Sequence, residues 1–271
     1  MLSAQVKMKP ANSASAENEK IYTAPALEKG LDILELLADE SEGLKLKDIA
    51  ARLQKSVSEI FRMVSVLERR QYLTLDDNTD KYSLSLKLFE VAHRHVPIQK
   101  LVKAASLEME NLTKKIDQSC HLTICAKNKV MVVVQKDSPM DKLITIRLGA
   151  SAPLLNSCSG HIFIAFSSEQ RSQELLSELE DEITQDELDN LLSIIRGQGF
   201  ERMLSKQIQG VEDIGFPIYD YNNELIACLV VPYLHYIGDL NSVNINTALR
   251  EIGKTARQIS YKLGARTKDE S

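Results

Sequence analysis

The chain has 271 residues, 44% hydrophobic, 26% charged and 5% aromatic, with no Trp. That composition excludes a collagen-like or wholly disordered chain, and at roughly 100–200 residues per domain it suits one large or two modest domains. The net charge of −5 hides an uneven distribution: residues 45–72 carry seven basic and three acidic side chains, a local +4 on a remainder of −9.

Such a basic island can turn one face toward a polyanion, or can be no more than a solvated helical surface. The longest uncharged apolar stretch near the C-terminus, Leu225 to Leu234, is well short of the roughly 20 residues of a membrane helix. The first twenty residues lack the apolar core of a signal peptide, so a cytoplasmic protein without a membrane partner is expected. Cys120, Cys125, Cys158 and Cys228 sit among apolar neighbours without CxxC spacing, as suits reduced, buried thiols.

Residues 1–24 are polar and aperiodic and read as a mobile tail. From Pro25 onward Leu27, Leu31, Ile33, Leu34 and Leu37 form a helical stripe that ends at the acidic turn Asp39–Gly43. A short helix follows with Leu46, Ile49, Ala50 and Leu53 inward. After a turn at Gln54–Ser56 comes a third helix with Ile60, Val64 and Leu67 on one side, capped by Ser56 or Ser58. Tyr72–Leu75 and Lys81–Leu84 read as two strands around the Asp76–Asp80 turn.

Three short helices and a ribbon make a winged helix-turn-helix over residues 25–84. A helix of that kind fits the major groove, where base edges carry distinguishable donor and acceptor patterns. Arg62 is the candidate for a base edge or phosphate, or alternatively pairs with Glu59. Lys81 at the ribbon either reaches a phosphate or is merely solvated.

Residues 85–97 read as a linker helix, with Leu86, Leu88, Phe89 and Ala92 apolar and Pro97 as its break. A long helix is expected from Ile98 to about Ile116. Strands are expected at Cys120–Ala126, Val130–Lys136 and Leu143–Leu148, and helices at Gly160–Ser167 and Glu187–Ile195. The Asp220–Glu224 segment reads as a hairpin turn between Ile214–Tyr219 and Leu225–Val231, followed by a helix over about Val243–Leu263. Residues 98–264 thus form an α+β domain with a mostly antiparallel sheet, large enough to enclose a small molecule, and residues 265–271 a flexible end.

Sequence motifs for nucleotide binding or hydrolysis are missing: there is no Walker loop, GxGxxG, GxSxG or HExxH. His93 and His95 are two apart and diverge on a helix, so no metal is expected. Ser157-Cys-Ser-Gly-His161 places a hydroxyl near an imidazole but lacks a third group and an elbow context. It reads better as a polar loop entering a helix, either holding an anion on the first-turn amides or simply capping the helix. No catalytic residue and no cofactor are expected.

Several segments carry a family likeness. Leu27-Glu-Lys-Gly-Leu-Asp-Ile-Leu34, Leu46-Lys-Asp-Ile-Ala-Ala-Arg-Leu53, Ser58-Glu-Ile-Phe-Arg62, Leu67-Glu-Arg-Arg-Gln-Tyr-Leu73 and Lys81-Tyr-Ser-Leu84 resemble the winged helix of IclR-type transcriptional regulators. The resemblance continues through Leu148–Gly160, Arg196–Phe200, Gly210–Asp220 and Ile226–Leu234. It implies a regulator, not an enzyme, that binds double-stranded operator DNA as a homodimer or tetramer. The second domain, similar to GAF-type sensors, would bind a small effector and bias the two winged helices through the linker. By resemblance Ser58, Phe61 and Arg62 match recognition-helix positions, and Lys55, Ser56 and Lys81 join them as DNA candidates. Ser157, Cys158, Ser159 and Gly160 match the effector loop, with Val230 and Pro232 on a strand where relatives place serines.

The chain departs from that pattern at Val57 and Glu59, often Lys and Thr in the family, which implies a different operator. It also lacks acids near Met203–Ser205. The expected effector is accordingly a larger or less polar acid, such as a sugar or aromatic acid. The rival readings are an enzyme built on Ser157 and His161, or a winged helix that docks protein.

Overall fold

The computed structural model describes residues 22–93, 96–177, 183–236 and 243–266, and the chain divides between Ala92 and His93 into two compact units. Most of the expected tail, His95 and most of the 265–271 end lie outside the described residues.

The first unit opens with α1 (Pro25–Ala38), whose proline occupies the first turn, where its missing amide has no acceptor to lose. It continues through β1 (Leu44–Lys45), α2 (Leu46–Arg52), α3 (Val57–Arg69), β2 (Leu73–Asp76), β3 (Lys81–Leu84) and α4 (Lys87–His93). The strands form an antiparallel sheet in the order β1-β3-β2, the wing. Two-residue β1, pairing Leu44 with Tyr82, is not among the expected elements. Ile33, Leu37, Ile49, Ile60, Val64 and Leu73 meet in one core, and burial of each is worth about 1.5–3 kcal/mol. The helical spacing of these residues turns one side of α3 inward and leaves the other to solvent.

The second unit begins with α5 (Val96–Ile116), two residues ahead of the expected Ile98. Pro97 lies in its first turn, so the proline starts this helix; residues 94 and 95 lie outside the described residues. Next come β4 (Cys120–Ala126), β5 (Lys129–Lys136), β6 (Ser151–Pro153), a 3-10 turn (Leu154–Asn156), α6 (Cys158–Phe166), α7 (Glu169–Ser177) and α8 (Gln185–Gln198). The chain ends with β7 (Glu201–Leu204), β8 (Val211–Tyr219), β9 (Leu225–Leu234) and α9 (Ile245–Lys262). The six strands form one antiparallel sheet, β6-β5-β4-β9-β8-β7.

The sheet is a middle layer. Ala227, Leu229 and Val231 of β9 join the cluster that contains α5 and α9, whereas Cys228 and Val230 join that of α6, α7 and α8. A strand covered on both faces buries consecutive residues, as β9 does from Ala227 to Tyr233.

Leu143–Leu148 is not a strand, contrary to its alternating pattern. The edge of β5 is taken by β6, which pairs Ala152 with Val130, and the Gly149 amide bonds the Val132 carbonyl at 2.9 Å. The alternation serves instead to aim Ile144 and Ile146 into a cavity on the α6 face of the sheet.

Candidate functional site

The α3 helix is fixed at its start by a capping box. Ser56 Oγ accepts from the Glu59 amide (3.3 Å), and Glu59 Oε2 accepts from the Ser56 amide and hydroxyl (3.2 and 2.8 Å). Glu59 Oε1 also pairs with Lys29 of α1 at 2.7 Å. The Lys29 contact, reinforced by Ser56, holds the Glu59 carboxyl at about 2. Glu59 therefore fastens α3 to α1, and the suggested Arg62–Glu59 pair does not form.

Ser58, Phe61 and Arg62 share the outward side of α3, with Phe61 53% exposed. Among the described residues Arg62 has no acidic partner. Lys55 is exposed in the turn between α2 and α3. Lys81 is half-buried at the start of β3, with its ammonium 3.6 Å from the exposed Glu42 carboxylate. Arg52, part of the basic island, is paired with Glu40. The structure thus separates a free guanidinium on α3 from one neutralised on α2.

The second site is a cavity of about 200 Å³ in the second unit. Its floor is the sheet: His121 and Thr123 from β4, Val130 and Val132 from β5, Val211 and Asp213 from β8, Val230 and Pro232 from β9. Ile144, Ile146 and the 205–208 loop complete the wall, and Ser157, Cys158 and Ser159 bring in the start of α6. Of the six residues singled out by resemblance, five line the cavity and Gly160 does not.

Gly160 has a packing role. A Cβ there would lie 2.0 Å from the Leu154 carbonyl oxygen, so only glycine lets the 3-10 turn close onto α6. At Gly215 a Cβ would lie 2.7 Å from Cys158 Sγ, which is how α6 seats its first turn on β8. Ser157 caps α6 by accepting from the Gly160 amide (3.2 Å) while its hydroxyl donates to the Pro153 carbonyl (2.9 Å). The Cys158 and Ser159 amides remain as first-turn donors without an intrahelical acceptor, at the positive end of the helix dipole.

Two side chains support this wall. His161 Nε2 donates to the Leu155 carbonyl (3.0 Å), and its Nδ1 lies within hydrogen-bond distance of Glu201 Oε1 (2.6 Å). Lys206 Nζ donates to the same Leu155 carbonyl (3.3 Å) and to Asn156 Oδ1 (3.2 Å). Both ring nitrogens of His161 are thus committed away from Ser157, and a serine–histidine pair is not assembled. The second Glu201 oxygen is buried without a partner among the described residues.

Burial drives the His121 imidazole down to about 4, so it stands neutral near pH 7 with one donor and one acceptor. Burial pushes the Asp213 carboxyl up to about 6; the Ser205 hydroxyl opposes the rise and the Glu201 charge adds to it. The buried thiols of Cys158 and Cys228 are raised well above the usual range, mainly by desolvation, and stay protonated.

His121, Thr123, Lys206 and Asp213 were not singled out from the sequence. Asp213 lies one residue ahead of the expected Ile214–Tyr219 strand; β8 in fact begins at Val211, which places Val211 and Asp213 on the cavity side. It pairs across the ladder with Met203, so the neighbouring strand supplies the acid that the 203–205 segment lacks. An acid therefore faces the cavity where the sequence reading expected none. A larger open groove beside α5 and the end of α9, about 1030 Å³, is lined mainly by aliphatic side chains and lacks this convergence of polar groups at a helix start.

A winged helix with an outward-facing guanidinium, followed by a sheet domain with a cavity where polar groups meet a helix start, defines a DNA-binding regulator that carries its own small-molecule sensor. The family models agree: residues 26–77 match the IclR helix-turn-helix domain and residues 93–261 the bacterial transcriptional regulator IclR C-terminal domain. The chain belongs to the IclR family of transcriptional regulators, with a DNA-binding helix-turn-helix and a ligand-binding C-terminal domain.

It is similar to the HTH-type transcriptional regulator KdgR of Dickeya chrysanthemi, 25% identical over 245 residues that cover 87% of this chain and 79% of the relative. The glycerol operon regulatory protein of Streptomyces coelicolor is 23% identical over 249 residues, 89% of this chain and 96% of the relative. Among solved structures, Pseudomonas aeruginosa HmgR superposes with a TM-score of 0.71 at 25% identity, covering 89% of this chain and all of that one (100%). An IclR homolog from Microbacterium hydrocarbonoxydans, complexed with 4-hydroxybenzoate, has a TM-score of 0.72 at 19% identity, covering 88% of this chain and 98% of that one, and shares the fold.

Proposed function

We propose that this regulator reads its operator with the outward side of α3, through Ser58, Phe61 and Arg62, while Lys55 and Lys81 contact phosphate and Ser56 sets the helix start. The observation that carries the reading is the pairing pattern: Glu59 is bound to Lys29 and Ser56, and Arg62 is left exposed beside Ser58 and Phe61. A guanidinium so placed can bind guanine bidentately, worth about 1–3 kcal/mol of discrimination.

The effector occupies the cavity at the start of α6. Its carboxylate lies against the Cys158 and Ser159 amides and Lys206, and its carbon skeleton against Val130, Val132 and Val230. At about 30 Å³ per water, 200 Å³ holds roughly seven waters, which suits a small organic acid such as a short sugar acid or a single-ring aromatic acid. The protein acts as a homodimer or tetramer on a pseudo-palindromic site, without catalytic activity. Exposed Leu27 and Leu31 on α1 and Leu86 just before α4 offer apolar surface for self-association. The Ser157–His161 alternative loses support because the imidazole bonds Leu155 and Glu201.

The test is selection of genomic fragments by the full chain, then release of the best fragment by metabolites under the control of its neighbouring genes. The reading expects a two-fold symmetric fragment and at least one acid that changes its affinity. An affinity that no metabolite alters would contradict the sensing half, and a failure to prefer any fragment over bulk DNA the other half.

A further inference from the structure

The cavity floor carries one acid, Asp213, that meets few protein donors among the described residues. Asp213 projects from β8 into the same space as the α6 amides. On its own strand Val211 lies within the lining, and from β9 its ladder partner is Pro232; neither side chain offers a hydrogen bond. From the β7 side the Ser205 hydroxyl reaches its carboxyl, and the nearby Glu201 carries the same charge. From α6 comes the protonated Cys158 thiol. Lys206, the cation of the lining, is held by the Leu155 carbonyl and Asn156.

A carboxylate has about four lone-pair sites, and those the protein does not fill are left to whatever occupies the cavity. One hydroxyl donor leaves most of that capacity open toward the cavity. The opposite requirement holds at the start of α6, where amides and Lys206 suit an anion. A ligand that meets both ends carries a carboxylate at one and a hydroxyl donor at the other.

We propose that Asp213 is the specificity-determining residue of the effector cavity, accepting a hydrogen bond from a hydroxyl group of a small hydroxylated organic acid. The proposal rests on the effector-cavity reading above. An unsubstituted acid of the same skeleton leaves Asp213 unsatisfied and places a second anion in the cavity with nothing between them, so it binds more weakly. Partial neutrality of Asp213 near pH 6, a consequence of its burial, does not remove the preference, because the neutral carboxyl still accepts through its carbonyl oxygen.

Calorimetry on the full chain with matched probes tests this: glycerate against propionate, gluconate against hexanoate, and 4-hydroxybenzoate against benzoate. For at least one pair the hydroxylated member binds about tenfold tighter. Asp213→Val brings that pair to near equality while leaving the unsubstituted acid bound as well as before, or better. Asp213→Asn, which keeps the shape and one acceptor, retains part of the preference and serves if the valine variant does not fold. Equal binding within every pair, a preference unchanged by both variants, or the absence of binding by all probes at millimolar concentration overturns the proposal. The cavity reading is separated by a thermal-shift screen of acids, amines and neutral metabolites on wild type and on Val230→Phe, which fills the floor. Ligands that stabilise the wild type alone, none of them hydroxylated acids, would keep the cavity and refute the role of Asp213. No stabilising ligand at all would refute both.

Discussion

Replacing Gly160 by alanine tests whether the cavity wall is built as described. The new Cβ would lie 2.0 Å from the Leu154 carbonyl oxygen, 2.5 Å from its Cα and 2.6 Å from its carbonyl carbon, all backbone. Ordinary contact lies near 3.5–4.0 Å, so the 3-10 turn must retreat by more than an ångström. Overpacking costs about 1–3 kcal/mol, and a clash with backbone belongs at the top of that range. The retreat also lengthens the His161–Leu155 and Lys206–Leu155 hydrogen bonds, and losing the buried one from His161 adds about 0.5–1.5 kcal/mol. A total of about 4 kcal/mol in a unit of this size lowers its melting temperature by roughly 8–16 °C, at about 2–4 °C per kcal/mol. With no Trp in the chain, circular dichroism at the helical band is the assay, and the transition of the first unit serves as the internal reference. A Gly160→Ala protein that melts with the wild type would show that the turn yields freely, and the packing argument for the cavity wall would fail.

Other expectations follow from single groups. Asp213 has a folded value near 6 against an ordinary 3.8, so wild-type stability falls as pH rises from about 4 to 6. Asp213→Asn removes that slope and is more stable at pH 7.5 by about 1–2 kcal/mol, the full shift being discounted for the part of the carboxyl that reaches solvent; urea titrations across pH check it. His121 works in the opposite direction: its value near 4 means that stability falls as pH drops from about 6.5 to 4, by up to about 3 kcal/mol, and nitrogen NMR would find its ring neutral at pH 5.5. A protonated His121 at that pH would refute its burial in the floor. Ser56→Ala removes the cap of α3 and costs the first unit about 1 kcal/mol in urea unfolding, whereas Ser58→Ala leaves its stability nearly unchanged and weakens DNA binding. Alkylation of the native protein at pH 8 labels Cys125 well before the buried Cys120, Cys158 and Cys228; uniform labelling would contradict their burial.

The first unit was legible in the sequence because its helices are amphipathic and its strands flank a turn of Asp and Asn. Only β1 escaped, since two residues carry no period and their pairing with β3 is tertiary. In the second unit the central strands and the final helix showed their pattern, while 143–148 misled: alternation marks two faces, and a segment covering a cavity alternates as a strand does. The short edge strands β6 and β7 escaped for the same reason as β1. The resemblance brought out the α6 loop, but the floor of the cavity comes from four strands far apart in the chain. Asp213 illustrates the limit. The missing acid was sought along the 203–205 segment, whereas the fold supplies one from the strand beside it.

The central claim, that the free side of α3 reads the operator, is tested most directly by fluorescence anisotropy of the selected fragment with wild type, Arg62→Ala and Arg52→Ala over a range of salt. Wild-type affinity falls steeply with salt, by a log–log slope near −0.9 for each phosphate neutralised. Arg62→Ala is expected to lose about tenfold to a hundredfold on the operator and much less on bulk DNA. Arg52→Ala, whose guanidinium is already paired with Glu40, should stay within about threefold of wild type. An Arg62→Ala protein that binds the operator as tightly and as selectively as wild type would contradict the assignment of α3 as the reading helix.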